Sequence, residues 1–437
     1  MLSLRRRKLS PKEHGDLPFV GMDDIEPDGL VIRSSRPFSE MKSAGNGFEI
    51  GDILYGRLRP YLNKVALTES RGAASGELLP LVARKDCEPR FLQLFLHSRR
   101  FVNCATEAVS GDRPRIDYRT LANFAVPIAP ISEQKRIVAR IEELFAEIDE
   151  GETALKRARR DLDTFRRALL KAAVTGELTR DWREKNNLSE TGADLVRNLR
   201  QRYPRVGPTQ RSWTAVGQGL SELPNSWAWS AVAEAGEVQL GRQRAPKHHQ
   251  GFHLRPYLRV ANVLEDKLDL SDVKFMNFTP EEYETFALRE GDVLLNEGQA
   301  PDLLGRPAMY RGEIDGFCFQ KTLLRFRAKK GILPDYALIV FRHYMRSGRF
   351  KRESRITTNI GHLTQIRFIE MEFPIPPTAE QHEIARRFHA AEQDATEVFE
   401  RLPAIPALSR SILKAAFEGR LLPGSSQSES ERSRVRN

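Results

Sequence analysis

The sequence is poor in cysteine and has no long hydrophobic segment. Three cysteines are spread over 437 residues, so the chain supports neither a disulfide framework nor a zinc site built from cysteine pairs. No apolar run reaches the roughly 18 residues that a membrane-spanning helix requires. The first 15 residues are basic but lack the apolar core of a secretory signal. These absences favour a cytoplasmic protein with reduced cysteines and no membrane contact.

Motifs of common catalytic and cofactor sites are also missing. The chain has no phosphate-binding loop G-x-x-x-x-G-K-[ST] and no Asn-Pro-Pro-aromatic or Asp-Pro-Pro-aromatic tetrapeptide, which amino-methyltransferases need to hold a flipped base. No Glu-x-Lys follows Pro301-Asp302 at a distance that suits a metal-dependent nuclease. His248, His249 and His253 lack a nearby carboxylate or cysteine, which favours a polar loop over a zinc site. We therefore expect a non-catalytic chain with no metal or cofactor of its own.

The sequence does carry a positive charge, and this charge is unevenly distributed. The formal net charge is +10, yet residues 131–181 and 378–437 each contain equal numbers of basic and acidic side chains. These two neutral segments are also the most helical in pattern. The distribution fits two lobes that bind a polyanion and two helices that do not, and it equally fits a mildly basic soluble protein.

A weak internal repeat organises the chain. Four pairs of segments recur in the same order, separated by 238 to 247 residues. The pairs are 18–25 with 256–263, 51–54 with 291–294, 126–134 with 373–381, and 170–176 with 413–419. Because this period is far too long for a solenoid, we interpret it as the duplication of a lobe that is followed by a helix.

The first helical segment is unusually long. Ser132 is a good N-cap, apolar residues then recur at helical spacing, and Gly176 is a stop signal after residue 175. A helix over 132–175 would span about 66 Å at 1.5 Å per residue. This length suggests a coiled-coil spacer rather than an ordinary domain helix.

The second helical segment begins at Thr378, which has capping-box spacing to Gln381. Pro403 and Pro406 should break it before a last helix at 407–418. The two helical stripes most simply bury each other. In the alternative arrangement, each stripe packs on its own lobe.

The lobes have the pattern of mixed α/β structure. Residues 51–56 and 291–296 are typical of a turn that leads into a strand, and 317–319 and 322–327 also predict strands. Short buried helices are predicted at 91–96 and 336–341. Residues 182–225 contain several prolines and little periodicity, which predicts a linker, and 424–437 has the composition of a disordered tail.

Segments around both helices resemble a known family. Residues 127–138 (PIAPISEQKRIV) and 167–179 (RALLKAAVTGELT) flank the first helix, and 374–381 and 412–421 look like the same marks on the second. Residues 51–64 (GDILYGRLRPYLNK) have a counterpart at 294–298 with 304–306. On these segments the chain resembles the DNA-specificity (S) subunit of type I restriction–modification enzymes over roughly residues 15–422.

The resemblance implies an α+β fold in which two mixed α/β target recognition domains alternate with two long helices that pair as an antiparallel coiled coil. Each domain would read one half of a split site in double-stranded DNA. The subunit would have no enzymatic activity, and it would dock two modification subunits, which methylate adenine, and two restriction subunits. AdoMet and ATP are expected on those partners and not on this chain.

The expected division of the chain follows from the resemblance and the repeat. It comprises a first recognition domain at 1–130, a first spacer helix at 131–181, a linker at 182–225, a second recognition domain at 226–377, a second spacer helix at 378–422 and a tail at 423–437. Only 17 residues precede Pro18, so we expect the opening of the first domain to be shortened against the second. An inactive truncated specificity subunit and a helical adaptor without DNA readout are therefore alternatives.

Candidate DNA-binding residues lie in basic loops of both lobes, because arginine suits phosphate and guanine and the amide side chains suit adenine. They are Arg57, Arg59, Tyr61, Lys64, Arg113 and Arg115 in the first lobe, and Arg242, Gln243, Arg244, Lys247, Gln299, Arg355, Thr357, Thr358 and Asn359 in the second. Candidate partner-binding residues mark the helix ends. They are Glu133, Gln134, Lys171, Glu380 and Gln381, which could instead cap the helices and pack on the lobes.

Overall fold

A computed structural model describes residues 1–127, 129–204, 220–245, 250–353, 355–357, 360–400 and 408–421. The chain divides into two compact units. The first unit is Met1–Arg157 with Pro403–Asn437, and the second unit is Ala158–Leu402. Among the described helices, none has the length and apolar character that crossing a membrane demands.

The strands and helices are numbered along the chain. The strands are β1 (Leu2–Leu4), β2 (Lys8–Leu9), β3 (Pro18–Val20), β4 (Arg36–Pro37), β5 (Gly45–Phe48), β6 (Ile53–Gly56), β7 (Val65–Leu67), β8 (Gly72–Ala74), β9 (Leu78–Ala83), β10 (Ala228–Ala231), β11 (Gly236–Leu240), β12 (Leu254–Leu258), β13 (Val263–Leu264), β14 (Lys267–Leu268), β15 (Lys274–Asn277), β16 (Val293–Asn296), β17 (Gly298–Gln299), β18 (Pro307–Met309), β19 (Cys318–Phe319), β20 (Leu323–Ala328), β21 (Arg355–Thr357), β22 (Ile360–His362) and β23 (Glu372–Ile375). The α-helices are α1 (Pro89–His97), α2 (Arg99–Glu107), α3 (Tyr118–Ala122), α4 (Ile131–Thr175), α5 (Arg180–Lys185), α6 (Gly192–Arg202), α7 (Val232–Ala235), α8 (Pro280–Phe286), α9 (Pro334–Arg346), α10 (Arg349–Glu353), α11 (Gln365–Ile369), α12 (Thr378–Glu400) and α13 (Leu408–Phe417).

The first unit is built on two sheets, with strand orders β1-β9-β6-β7 and β2-β5-β8-β3-β4. Its largest core packs the first sheet against α1 and α2, the start of α4, and α13. Phe91 and Phe95 of α1 each make an edge-on ring contact with Phe417 of α13, with 5.3 Å between ring centroids. The last described helix is thereby part of the core of this unit.

The second unit contains the corresponding sheet, with strand order β11-β20-β16-β18, and smaller sheets around it. Its largest core combines that sheet with α9, α12, and the end of α4 at Leu170 and Ala173. Each unit therefore contains a lobe, the start of the helix that follows that lobe, and the end of the other helical segment.

The repeat in the sequence corresponds to a repeated turn in the structure. Gly51 and Gly291 have φ values of +83° and +87°, a conformation that glycine adopts without strain. One residue later, Asp52 and Asp292 each accept a 2.8 Å hydrogen bond from a backbone N–H three residues back, at Glu49 and Arg289. The predicted turn before β6 and β16 is confirmed in both units, because the same two residue types shape it.

The bounds of the long helices agree closely with the prediction, but the predicted caps are wrong, because Ser132 and Thr378 lie inside the helices and Gln381 bonds Leu333, Gly331 and Pro376. α4 runs from Ile131 to Thr175, and Gly176 follows it with φ +80°. α12 and α13 match the two parts predicted for the second segment, while residues 401–407 between them lie outside the described residues. Within the second unit α12 runs antiparallel to the end of α4, since Arg166 bonds Thr396 and Leu178 bonds Arg387.

Residues 192–202 are helical, although they were predicted to be part of a linker. These residues form α6, whose first turn is capped reciprocally by Thr191 and Asp194. Leu195, Val196 and Leu199 bury its inner face in the largest core of the second unit. A stripe of three residues is too short to stand out in the sequence, although its capping signal was present.

The first lobe was expected to have a shortened opening, yet its first residues form an edge strand of the four-stranded sheet. β1 pairs antiparallel with β9 and occupies the sheet position that β11 has in the second unit. The β10–β23 pair and the short helix α7 of the second unit have no counterpart among the described residues of the first. The lobes therefore share the four-stranded sheet but differ in this added layer.

Candidate nucleic-acid interface

In the first unit, two separate loops meet to form a basic surface. Leu58 forms a β-bridge with Arg115, Arg59 donates its backbone N–H to Pro114 at 2.8 Å, and Ile116 donates to Arg57 at 3.0 Å. The loop after β6 and the loop before α3 are thereby joined. The joined loops bring predicted DNA-binding residues together that about 55 residues separate in the chain.

The side chains of this site differ in how much of each is available. Arg59, Tyr61 and Arg113 are exposed, Tyr61 to 49%. Arg115 is exposed but lies 2.9 Å from Glu77, and Arg57 is partly buried. Exposed guanidinium groups and an exposed aromatic ring on joined loops suit contact with a nucleic-acid backbone and its bases.

Lys64 does not belong to this surface. Its side chain is buried, with 8% exposure, and its ammonium group donates to the carbonyl of Met22 at 2.8 Å. The prediction that Lys64 binds DNA is wrong, because its charge is used inside the lobe. Its position in a basic run gave no sign of this distant partner.

The second unit also joins two separate loops, and here the loops contain small strands. β17 pairs with β22, which pairs with β21, so Gln299 lies opposite Gly361 in a three-stranded sheet. Leu363 donates to the carbonyl of Glu297 at 2.8 Å, which is the counterpart of the bond from Ile116 to Arg57. Arg355 and Thr357 are on β21, whereas Thr358, Asn359 and Lys247 lie outside the described residues.

Arg242 has a structural role in place of the predicted DNA contact. Its side chain is 9% exposed, donates to Glu282 at 2.8 Å and lies 5.0 Å from the ring centroid of Phe278. The next residues, Gln243 and Arg244, are exposed. The basic loop therefore begins one residue later than its charge pattern suggested.

Gln134 and Gln381 make the same set of hydrogen bonds in the two units. The side-chain oxygen of Gln134 accepts from the backbone N–H of Glu88, and that of Gln381 accepts from Leu333, at 2.9 and 2.8 Å. The side-chain nitrogens donate to two backbone carbonyls each. We call this set the glutamine clamp, because it ties the start of α4 or α12 to the start of α1 or α9.

The clamp and its neighbours correct three partner-binding predictions. Gln134, Glu380 and Gln381 are fully or almost fully buried, so they cannot present polar groups to another protein. Glu380 accepts from Thr179, Arg183 and Trp227 instead. Glu133 and Lys171 remain at the surface.

The comparisons with known proteins agree with this architecture. The family described as the type I restriction modification DNA specificity domain matches residues 6–157 and 244–405. The chain belongs to this family. The two matched regions contain the two loop surfaces described above.

Some relatives of this specificity-domain protein match one part of the chain, and others match most of it. It is 34% identical over 145 residues to the type I restriction enzyme EcoDI specificity subunit of Escherichia coli, which covers 33% of this chain and 32% of the relative. It is 26% identical to the StySPI specificity subunit of Salmonella potsdam over 91% of this chain and 75% of that one. The HsdS subunit from Thermoanaerobacter tengcongensis has the same fold, with a TM-score of 0.62, 18% identity and coverage of 96% and 97%.

A cluster of ion pairs in the second unit was missed by the analysis of the sequence. Arg342 on α9 contacts Glu265 after β13 and Glu392 on α12. Arg346, one turn later, contacts Glu265 and Asp163 on α4. This cluster lines a cavity of about 660 Å³. The four-residue spacing of the arginines was a visible signal, but their partners are 50 or more residues away in the chain.

Two partly buried histidines should make the specificity-domain protein sensitive to acid. Burial lowers the pKa of His97 in the first unit to about 4, and burial with the nearby charge of Lys171 lowers the pKa of His343 in the second to about 4. Each unfolded imidazole titrates near pH 6.5, so the folded state gains stability above that pH and loses it as the pH falls towards 4. We expect a loss of about 2 kcal/mol per histidine.

Acid unfolding of the histidine variants checks this expectation. His97→Asn should flatten the pH dependence of the first unit between pH 6.5 and 4.5, and His343→Asn that of the second. His382→Asn, on an exposed position of α12, is the matched control and should behave as wild type. Equal pH dependence in all four proteins would contradict the assignment.

Proposed function

We propose that this chain is the sequence-recognition and assembly subunit of a type I restriction–modification complex. The observation that carries the proposal is that both units present the same joined-loop construction, beyond β6 in the first and beyond β16 in the second. Two equivalent surfaces on one chain suit a DNA site that is split into two halves. Relatives named as specificity subunits of type I restriction enzymes support this assignment.

The chemistry of the two surfaces suits different parts of that task. In the first unit, Arg59 and Arg113 would bind phosphates while Tyr61 packs against the backbone or a base. In the second unit, Gln243, Arg244 and Gln299 would contact DNA, with an amide side chain suited to adenine. The proposed recognition domains keep the boundaries 1–130 and 226–377.

The proposed assembly would supply the catalytic chemistry that this chain lacks motifs for. Two modification subunits would bring AdoMet and methylate adenine, and two restriction subunits would bring ATP. Because the proposed substrate is cellular DNA, we place the complex in the cytoplasm. The described residues contain no group of histidine, cysteine and acidic side chains that could hold a metal ion.

Deletion of the gene in its native host tests the proposal. We expect that a split, adenine-methylated motif disappears from the genome on deletion and returns when the gene is restored. The motif would identify both half-sites, and two distinct halves would mean that the first lobe reads DNA as well. A methylome that does not change would contradict the proposal and would favour a helical adaptor or an inactive specificity subunit.

The arginines of the first surface should account for part of the salt dependence of DNA binding. Arg59→Gln and Arg113→Gln should each reduce the slope of log affinity against log salt by about 1, because one phosphate contact is lost. The assembled complex would be titrated with a duplex of its methylated motif. Arg84→Gln is the matched control, because Arg84 follows the far end of β9, about 20 Å from Glu77. Slopes that stay at the wild-type value would remove these residues from the interface.

A further inference from the structure

Equivalent backbone positions in the two joined-loop surfaces carry side chains of opposite charge. Arg57 directly follows β6 in the first unit, and Glu297 directly follows β16 in the second. The backbone N–H of Arg57 donates to the carbonyl of Glu77, and that of Glu297 donates to the carbonyl of Thr322, each at 2.9 Å. Glu77 and Thr322 are equivalent as well, because they directly precede β9 and β20. The two positions therefore have the same place beside the corresponding sheets.

The backbone carbonyls of both residues are also bonded to the second loop of each surface. The carbonyl of Arg57 accepts from the N–H of Ile116 at 3.0 Å, and that of Glu297 accepts from the N–H of Leu363 at 2.8 Å. Because both backbone polar groups have partners, the main chain is held at each position and the side chain projects from a fixed point. We therefore expect that a different side chain at position 297 changes the chemistry of the surface without releasing the loop.

The carboxylate of Glu297 is partly open to the surface of the second unit. Its side chain is 22% exposed, and Oε1 lies 3.5 Å from Nδ1 of His362, whose side chain is 44% exposed. Gly298 makes room for the imidazole ring, since a Cβ at that position would lie 3.2 Å from two ring atoms. Gln299, a proposed DNA contact, comes two residues after Glu297. An acidic side chain thus stands within a surface that we propose binds DNA.

The acidic group limits what this part of the surface can bind. A carboxylate repels phosphates, so Glu297 opposes the part of DNA affinity that is independent of sequence. It accepts hydrogen bonds and donates none, so in the major groove it suits a base that presents an amino group. Cytosine presents the amino group at N4, whereas thymine O4 and guanine O6 and N7 are acceptors that would be repelled. Adenine has an acceptor at N7 beside its amino group, which suits an amide side chain better than a carboxylate.

We propose that Glu297 is a specificity-determining residue of the second recognition domain, where it accepts a hydrogen bond from the amino group of one cytosine in the DNA half-site. The arginine at the equivalent position of the first unit has only donors and suits guanine or a phosphate instead. The opposite charges would help the two domains to read different half-sites. The inference rests on the proposed function, since it takes the split DNA site from it.

The methylome of the native host, with the gene replaced by the Glu297→Gln variant, tests this assignment. Glutamine keeps an acceptor and adds a donor, so it can bond thymine O4 as well as cytosine N4. We expect that one C of the wild-type motif, on either strand of one half-site, becomes C or T, and that the other half-site does not change. In duplex titrations of the assembled complex, the preference for C over T at that position should fall about tenfold or more.

Glu290→Gln is the matched control for this variant. Glu290 is exposed and lies before β16, at the end of the strand opposite to Glu297. The control should leave the motif and the duplex preference as in wild type. Thermal unfolding of the free chain should be the same for wild type and both variants, because neither change removes a backbone hydrogen bond.

The inference has several ways to fail. A motif that Glu297→Gln leaves strict at every position would mean that the carboxylate reads no base. Relaxation at a base other than cytosine would assign a different contact to this residue. Destabilisation of the free chain, with weaker methylation but an unrelaxed motif, would give Glu297 a structural role. If wild type modifies no split motif, the proposed function fails and this inference fails with it, whereas a wild-type motif that the variant leaves unchanged removes this inference alone.

Discussion

Replacing Gln381 by leucine should lower the free energy of unfolding of the second unit by about 3 kcal/mol. The side chain is fully buried and makes one hydrogen bond to the N–H of Leu333 and two to the carbonyls of Gly331 and Pro376. Leucine has a similar size but no polar atoms, so it would leave these backbone groups without partners. An unpaired buried polar group costs about 1–3 kcal/mol, and the part of the loss that water can recover keeps the total near the lower end.

Hydrogen exchange can locate the effect at a single amide. The N–H of Leu333 precedes α9 and has Gln381 as its acceptor, so its protection should fall by the full change in local stability. Gln134→Leu should do the same to the N–H of Glu88 in the first unit. Gln393→Leu, at an exposed position of α12, is the matched control and should change stability by less than about 0.5 kcal/mol.

Three results would contradict the predicted role of the glutamine clamp. If Gln381→Leu and Gln393→Leu unfold alike, the three hydrogen bonds contribute nothing measurable to the second unit. A loss of stability that is spread over the unit without added exchange at Leu333 would show a packing defect in place of the proposed clamp. An effect of Gln134→Leu that is much smaller than that of Gln381→Leu would mean that the repeated geometry is not energetically equivalent.

Elements that turn or end at a glycine could be predicted from the sequence. α4 differs by one residue at its start from the predicted helix at 132–175, because apolar spacing and Gly176 are local signals. The turns at Gly51 and Gly291 are local as well, since the glycine takes a positive φ and the next aspartate caps the turn. The repeat was detectable for the same reason, because it preserves these local signals in both copies.

Residues that depend on distant partners could not be assigned in this way. Lys64 and Arg242 lie in basic runs that resemble exposed loops, yet their partners Met22 and Glu282 are about 40 residues away and draw both side chains inward. The roles of Gln134 and Gln381 likewise depend on backbone groups 46 and 48 residues away. A sequence shows which residues can form such bonds but not which of them meet.

Replacing Arg342 by leucine should destabilise the second unit by about 3–5 kcal/mol at neutral pH. Its guanidinium is 5% exposed, makes two hydrogen bonds to Glu392 at 2.6 and 2.7 Å, and also faces Glu265 and Asp266. The leucine variant would leave these carboxylates in the seam between α9, α12 and the turn after β13 without their central cation. Removing one member of a buried ion pair is far more costly than removing an exposed pair.

Arg386→Leu provides the matched comparison. Arg386 is on α12, is 67% exposed and pairs with Glu383 on its own helix. Its loss should change the stability far less than the loss of Arg342 does, because exposed pairs within a helix are weak and screened by salt. Urea unfolding of both variants, followed by a probe in the second unit, would compare the two sites directly. Equal losses of stability would show that the buried ion pairs contribute no more than an exposed pair does.

The pH dependence of the stability loss in Arg342→Leu should show that the missing positive charge causes this loss. Burial opposes ionisation of Glu392, but the bonds from Arg342 hold its pKa below the usual value, while burial raises the pKa of Asp266. In wild type, Glu392 therefore contributes stability above its unfolded pKa, and this contribution is lost as the pH falls. In Arg342→Leu the pKa values of both carboxylates would be raised. Protonation would then remove the unpaired charges, so the loss of stability relative to wild type should shrink as the pH falls from 7 towards 4.5.

The double variant Arg342→Leu/Glu392→Leu should recover more than half of the loss of stability at neutral pH, because an apolar pair leaves fewer charges uncompensated. A deficit that is independent of pH and is not relieved in the double variant would assign the effect of Arg342 to its packing over Phe388 alone.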